Sequence, residues 1–125
     1  MTYLDTHVVV WLFSAETYKL SKTVIDEIQE EQEILISPAV LLELQLLHDI
    51  KRVKTAALNV VERLSSEVGL AVCRVPFATV VEHALDQAWT RDPFDRLIVA
   101  NALAQDAPLI TKDERIRKHY RRSVW

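Results

Sequence analysis

Short apolar runs alternate with longer stretches of helical periodicity along the whole chain, and each run stops where a helix can start. Tyr3-Leu4-Asp5 gives way at Thr6 to the apolar stretch His7 to Phe13. Ile34-Leu35-Ile36 stops at Ser37-Pro38, a hydroxyl N-cap followed by proline at the first helical position, where a missing N–H does no harm. Pro108-Leu109-Ile110-Thr111 stops at Lys112-Asp113. This pattern predicts strands near residues 2–5, 34–37, 70–75 and 108–111, with Ser123-Val124-Trp125 as a short edge strand. Helices are predicted to about residue 13 and near 22–32, 38–50, 55–67, 77–89, 93–105 and 113–119. Such alternation specifies an α/β fold with a central parallel sheet flanked by helices.

A chain of 125 residues, half of them hydrophobic, supports one core, and one domain over residues 1–125 is expected. Its longest apolar stretches, such as Val8 to Phe13, are far short of the ~20 residues a membrane span requires. The start Met1-Thr2-Tyr3-Leu4-Asp5 has neither a basic region nor a small-residue cleavage site, so a cytoplasmic protein is expected. Cys73 is the only cysteine, which rules out an internal disulfide and a Cys-based zinc site; it is expected in the core. Gly69 is the only glycine, so no glycine-rich loop exists to cradle a nucleotide phosphate. Dinucleotide-dependent dehydrogenases and P-loop ATPases are disfavoured accordingly.

Four acidic residues fall where such a sheet would gather them. Asp5 and Asp113 follow strands, Glu43 lies in the second turn of the helix that opens at Pro38, and Asp95 lies in the first turn after the N-cap Asp92 and Pro93. In open parallel sheets, ligands bind outside the carboxyl ends of the strands, where the strand order reverses. Taken singly, Asp92, Asp95 and Asp113 are explained by capping and by the helix dipole. Glu43 is not, since it lies too deep in its helix to cap it and is flanked by Leu42 and Leu44. A carboxylate there needs a partner.

Four carboxylates in one crevice repel strongly unless a cation neutralises them, and an oxygen-only donor set suits Mg²⁺ or Mn²⁺. His7, His48, His83 and His119 are scattered without zinc-ligand spacing, although His7, two residues past Asp5, could face the site. The net charge of −3 hides an uneven distribution. From Lys112 to Arg122 the chain carries a local +4, which leaves −7 on the remainder. That basic run reads either as a solvated helix face or as a contact for a phosphate backbone beside the acids.

In combination and order, these motifs resemble the PIN-domain ribonucleases, and within them the VapC toxins of type II toxin–antitoxin pairs. The resemblance spans nearly the whole chain. It rests on Tyr3-Leu4-Asp5-Thr6-His7, on Ile36-Ser37-Pro38-Ala39-Val40-Leu41-Leu42-Glu43-Leu44, on Arg91-Asp92-Pro93-Phe94-Asp95-Arg96-Leu97-Ile98-Val99-Ala100, and on Leu109-Ile110-Thr111-Lys112-Asp113. It implies a single PIN domain in which Asp5, Glu43 and Asp95 are the core metal-site acids and Asp113 the fourth, more variable one. Thr6 and Thr111 match small hydroxyl positions beside the metals, and Arg96 matches a position of substrate or structural support. Lys112, Arg115 and Lys118 are the basic residues nearest the acids in sequence and become candidate RNA contacts. Asp92 reads as part of the helix start and not of the catalytic set.

The activity implied is that of a divalent-metal-dependent endoribonuclease, hydrolysing RNA phosphodiester bonds with metal-activated water. The resemblance also implies a homodimer, held inactive by a cognate VapB-like antitoxin in a higher assembly. The stretches Leu41 to Leu47 and Val60 to Leu64 are expected either in the core or as apolar surface for such contacts. Three rivals share the fold class. A receiver-like signalling domain needs a phospho-accepting aspartate after a central strand, but Ile34 to Ile36 ends in Ser-Pro and Leu70 to Val75 in Pro-Phe. A haloacid-dehalogenase-type phosphatase needs a second aspartate two residues after Asp5, where His7 stands. A catalytically silent nucleic-acid-binding domain carries the same ligands and differs only in turnover.

Overall fold

Five short strands, all parallel, carry the fold in the order β3-β2-β1-β4-β5. They are β1 (Thr2–Leu4), β2 (Ile34–Ile36), β3 (Leu70–Val72), β4 (Leu109–Ile110) and β5 (Ser123–Val124). The helices are α1 (Thr6–Phe13), α2 (Lys22–Glu30), α3 (Pro38–Asp49), α4 (Ala57–Val68), α5 (Phe77–Leu85), α6 (Pro93–Ala104) and α7 (Glu114–His119). This architecture is that of a computed structural model, which describes residues 1–125.

From β1 the chain adds β2 and then β3 on one side, returns across the sheet, and adds β4 and β5 on the other. The order therefore reverses between β1 and β4, whose Tyr3 and Leu4 pair with Leu109 and Ile110. A crevice opens at such a point because the connections on either side diverge. Leu4, Ile36, Leu109 and Ile110 are completely buried, as expected for parallel strands covered on both faces. They belong to a cluster of 26 buried residues that includes Val40 and Leu44 of α3 and Val99 of α6. Burying each such side chain contributes about 1.5–3 kcal/mol before entropy is counted.

The helix starts are as the sequence implies. Ser21 Oγ accepts from Val24 N at 3.1 Å and Ser37 Oγ from Ala39 N at 3.0 Å. The Ser37 hydroxyl also donates to Asn101 Oδ1 at 2.5 Å, which ties the start of α3 to the middle of α6. Gly69 closes α4 at φ 73°, a left-handed conformation that glycine adopts without a Cβ penalty.

Several expected boundaries shift. The second helix ends at Glu30, because Glu31 leaves it to accept from the Met1 amino group at 2.7 Å and from Gln32 N at 3.0 Å. The third strand stops at Val72 and the next helix at Leu85, short of the expected 75 and 89. Trp89 instead lies in the loop before α6 and stacks on His119, with ring centroids 4.9 Å apart and planes 6° from parallel. A 3-10 turn at Thr17–Lys19 was not anticipated. Val60 and Leu64 are core residues, each 1% exposed, and are unavailable as contact surface, whereas Leu42 and Leu46 of α3 are exposed. Cys73 is buried as expected. No helix is long and apolar enough to cross a membrane.

Candidate metal centre

The chain direction at the β1/β4 switch point brings acids from four elements to one cleft. Asp5 leaves the end of β1 and caps α1, accepting from Thr6 N at 2.8 Å. Glu43 reaches the same place from the second turn of α3, and Asp92 and Asp95 from the start of α6. Asp113 follows β4 and caps α7, accepting from Arg115 N at 2.8 Å and Ile116 N at 3.0 Å. The resulting cavity, about 400 Å³, is lined by these five carboxylates together with His7, Val8, Trp11 and Lys112.

Two buried threonines fix the orientation of the acids. Thr111 Oγ1 donates to Asp5 Oδ2 at 2.6 Å and itself accepts from Asp113 N at 3.0 Å, so one hydroxyl links the acids that follow β1 and β4. Thr6 Oγ1 donates to Glu43 Oε1, linking α1 to α3. Each hydroxyl is thus committed to a carboxylate.

The cleft is anionic, and none of its acids is held in an ion pair. The five ion pairs of the protein are Met1–Glu31, Lys19–Glu16, Lys22–Asp26, Arg63–Glu67 and Arg122–Asp106, and none includes a cleft acid. Protonation energetics reflect this. Burial raises the pKa of Asp5, partly offset by the bonds from Thr111 and Thr6. Burial likewise raises Glu43, with repulsion from Asp5 and Asp92 adding to it and the Thr6 bond opposing it. Asp95 is pushed up to about 7, first by burial and then by the negative charges of Asp92, Asp113, Asp5 and Glu43. Three neighbouring carboxylates raised together mark a place where an added cation would be strongly favoured.

The donor set fits a hard divalent cation: carboxylate oxygens, no sulfur, and one peripheral histidine. No three of the side chains converge into a preformed ion cage, in keeping with mutual repulsion among like charges. Asp5, Glu43, Asp95 and Asp113, the four acids singled out in the sequence, all line this one cavity.

Of the other sequence candidates, His7 and Lys112 line the cleft. Arg96 turns away and donates through Nε to Thr90 O at 2.7 Å, bracing the loop before α6. Arg115 donates through Nη2 to Trp89 O at 2.5 Å, and Lys118 is exposed on α7 outside the cleft. Sequence reasoning set Asp92 apart from the acids. It is indeed the N-cap of α6, accepting from Phe94 N at 2.8 Å, yet it also lines the cleft and is the charge that acts most strongly on Asp95. The signal was present in the spacing, since residues three apart share one side of a helix start. Trp11 was missed as well. It lies four residues after His7, on the same helix face, with ring centroids 6.0 Å apart.

The parallel five-strand sheet carries an acidic cleft at its switch point, and residues 2–122 match the family described as PIN domain. The chain belongs to that family. Within it, the chain is 33% identical over 118 residues to "Ribonuclease VapC22" of Mycobacterium tuberculosis, covering 93% of this chain and 89% of that protein. Solved structures share the fold at lower identity. VapBC2 from Rickettsia felis, bound to a DNA fragment from its promoter, matches with TM-score 0.68 and 21% identity over 94% of this chain and 92% of that one. A toxin–antitoxin complex from Klebsiella pneumoniae matches with TM-score 0.67 and 16% identity over 100% and 97%.

Proposed function

We propose that this chain is a divalent-metal-dependent endoribonuclease, the toxin of a type II toxin–antitoxin pair, using Mg²⁺ or Mn²⁺. The observation that carries the reading is the cleft itself: five carboxylates from four elements, none in an ion pair, in a PIN domain. The 33% identity to a named ribonuclease supports RNA as the substrate. A partly buried anionic cluster, with Asp5 buried and Glu43 and Asp95 half-buried, destabilises the fold, so its presence points to function.

In this account Asp5, Glu43, Asp95 and Asp113 hold the ion, and Thr111 and Thr6 keep the Asp5 and Glu43 carboxylates in fixed orientations. The ion, when bound, supplies the acidity that activates water and offsets charge developing on the scissile phosphate. Lys112, the one lysine or arginine at the cleft, contacts a phosphate oxygen of the RNA. A VapB-like antitoxin as inhibitor is supported by structural neighbours that are toxin–antitoxin complexes. A homodimer, action in the cytoplasm and an extent of the domain over residues 1–125 complete the reading.

The test is incubation of partner-free protein with a mixed RNA pool, with Mg²⁺ or Mn²⁺ and with EDTA, beside Asp5→Asn protein. Cutting that requires metal and is lost in the variant is expected. A folded, metal-binding protein that cuts no RNA would overturn the assignment.

A further inference from the structure

Beyond the acids, rings and ammonium groups alternate outward from Trp11 and Lys112 of the cleft wall. Trp11 and Lys112 both line the cavity, and Lys112 Nζ lies 5.9 Å from the Trp11 ring centroid and 5.8 Å from that of Trp125. The two indoles meet edge to face at 5.9 Å. Lys19 Nζ lies 5.9 Å from the Trp11 ring and 5.9 Å from the ring of Tyr18. Tyr18 is 80% exposed, so its aromatic surface contributes almost nothing to the core.

We propose that the strip Tyr18–Lys19–Trp11–Lys112–Trp125 is a stacking subsite for unpaired nucleobases of the RNA that flank the phosphate held at the acids. This deepens the nuclease reading and rests on it. Aromatic faces interleaved with cations are the elements by which single strands are bound: each base offers a π-face to a ring, and each phosphate an anion to an ammonium. Paired bases are stacked on their neighbours and have no free face, so the subsite selects single-stranded segments over duplex. Lys112 presents an ammonium group at the acidic cleft itself, while Lys19, paired with Glu16, lies farther along the strip.

The experiment measures fluorescence anisotropy of a labelled, mixed-sequence single-stranded RNA and of the same RNA annealed to its complement. It uses full-length Asp95→Asn protein, in which no cleavage interferes. Single-stranded RNA is expected to bind, and to bind more tightly than duplex. Adding Tyr18→Ala or Trp11→Leu should weaken binding roughly 5- to 100-fold, the usual effect of removing one stacking ring. Trp11 also packs against the core, so Trp11→Phe serves as the folding control and should restore most of the affinity. Equal affinity across these proteins, or equal affinity for duplex, overturns the subsite.

A parallel arm measures KM and kcat for wild type and Tyr18→Ala on single-stranded RNA, where a rise confined to KM is expected. If wild-type protein cuts no RNA yet the anisotropy pattern holds, the nuclease reading falls and the subsite stands. If wild-type protein cuts RNA and Tyr18→Ala does so with an unchanged KM, the subsite falls and the nuclease reading stands.

Discussion

Replacing Asp95 with asparagine should stabilise the metal-free protein. Its carboxyl is pushed from 3.8 to about 7 by burial and by the charges of Asp92, Asp113, Asp5 and Glu43. Because the folded-state value is raised, the native protein holds a proton that the unfolded chain has released. Stability is therefore lost as pH rises from the unfolded value through the folded one, from about 4 to about 7. A shift of that size corresponds to roughly 4 kcal/mol at about 1.4 kcal/mol per unit. Asp95 is only half-buried, and solvent screening reduces this to about 1–2 kcal/mol. Asparagine also gives up a favourable first-turn interaction with the helix dipole, about 0.3–1 kcal/mol. The net expectation is a gain of about 1 kcal/mol at pH 8, or roughly 3–5 °C in Tm for a chain of this size. At pH 5 the gain should be less than half as large, since native Asp95 is then protonated. Differential scanning calorimetry in EDTA at both pH values is the assay. With Mg²⁺ added, wild type should gain Tm and the variant should not. A variant of normal circular dichroism that melts at or below wild type at pH 8 in EDTA would refute the claim that burial and neighbouring acids make the Asp95 charge destabilising.

Other consequences are local. Thr111→Val removes the donor to Asp5 Oδ2 and should cost about 1–3 kcal/mol in urea denaturation, with metal affinity falling about 10- to 100-fold. Ser37→Ala loses both the α3 cap and the bond to buried Asn101, and should cost about 2–3 kcal/mol by the same assay. Gly69→Ala meets no atom within 4 Å of the added Cβ, so only the left-handed backbone penalty of about 1–2 kcal/mol should register in Tm.

The sheet was legible because the strands are short and β1, β2 and β4 give way to the capping residues Asp5, Ser37 and Asp113, and Ser37-Pro38 and Asp92-Pro93 mark helix starts almost without tertiary context. Asp5, Glu43, Asp95 and Asp113 could be placed together because the end of a parallel strand and the start of the next helix share one edge of the sheet. What escaped depends on contacts distant in sequence. Trp89 reads as helical, yet its stacking on His119 draws it into a loop. The reach of Arg96 and Arg115 to backbone carbonyls of the 89–90 segment depends on that loop's path, which their own neighbourhoods do not encode. Asp92 was hidden by its capping role, since one carboxylate can satisfy amides and still charge a cleft. The tail's positive charge suggested several RNA contacts, but the helical turn of α7 leaves only Lys112 at the cavity.

The central claim is that carboxylates from separate elements act as one metal centre. Calorimetric titration of Mn²⁺ into wild type, Asp5→Asn, Glu43→Gln and Asp95→Asn tests it most directly. Saturable binding to wild type, reduced at least tenfold by each substitution in a folded protein, is the predicted result. Binding of equal affinity and stoichiometry in all four proteins would contradict the account.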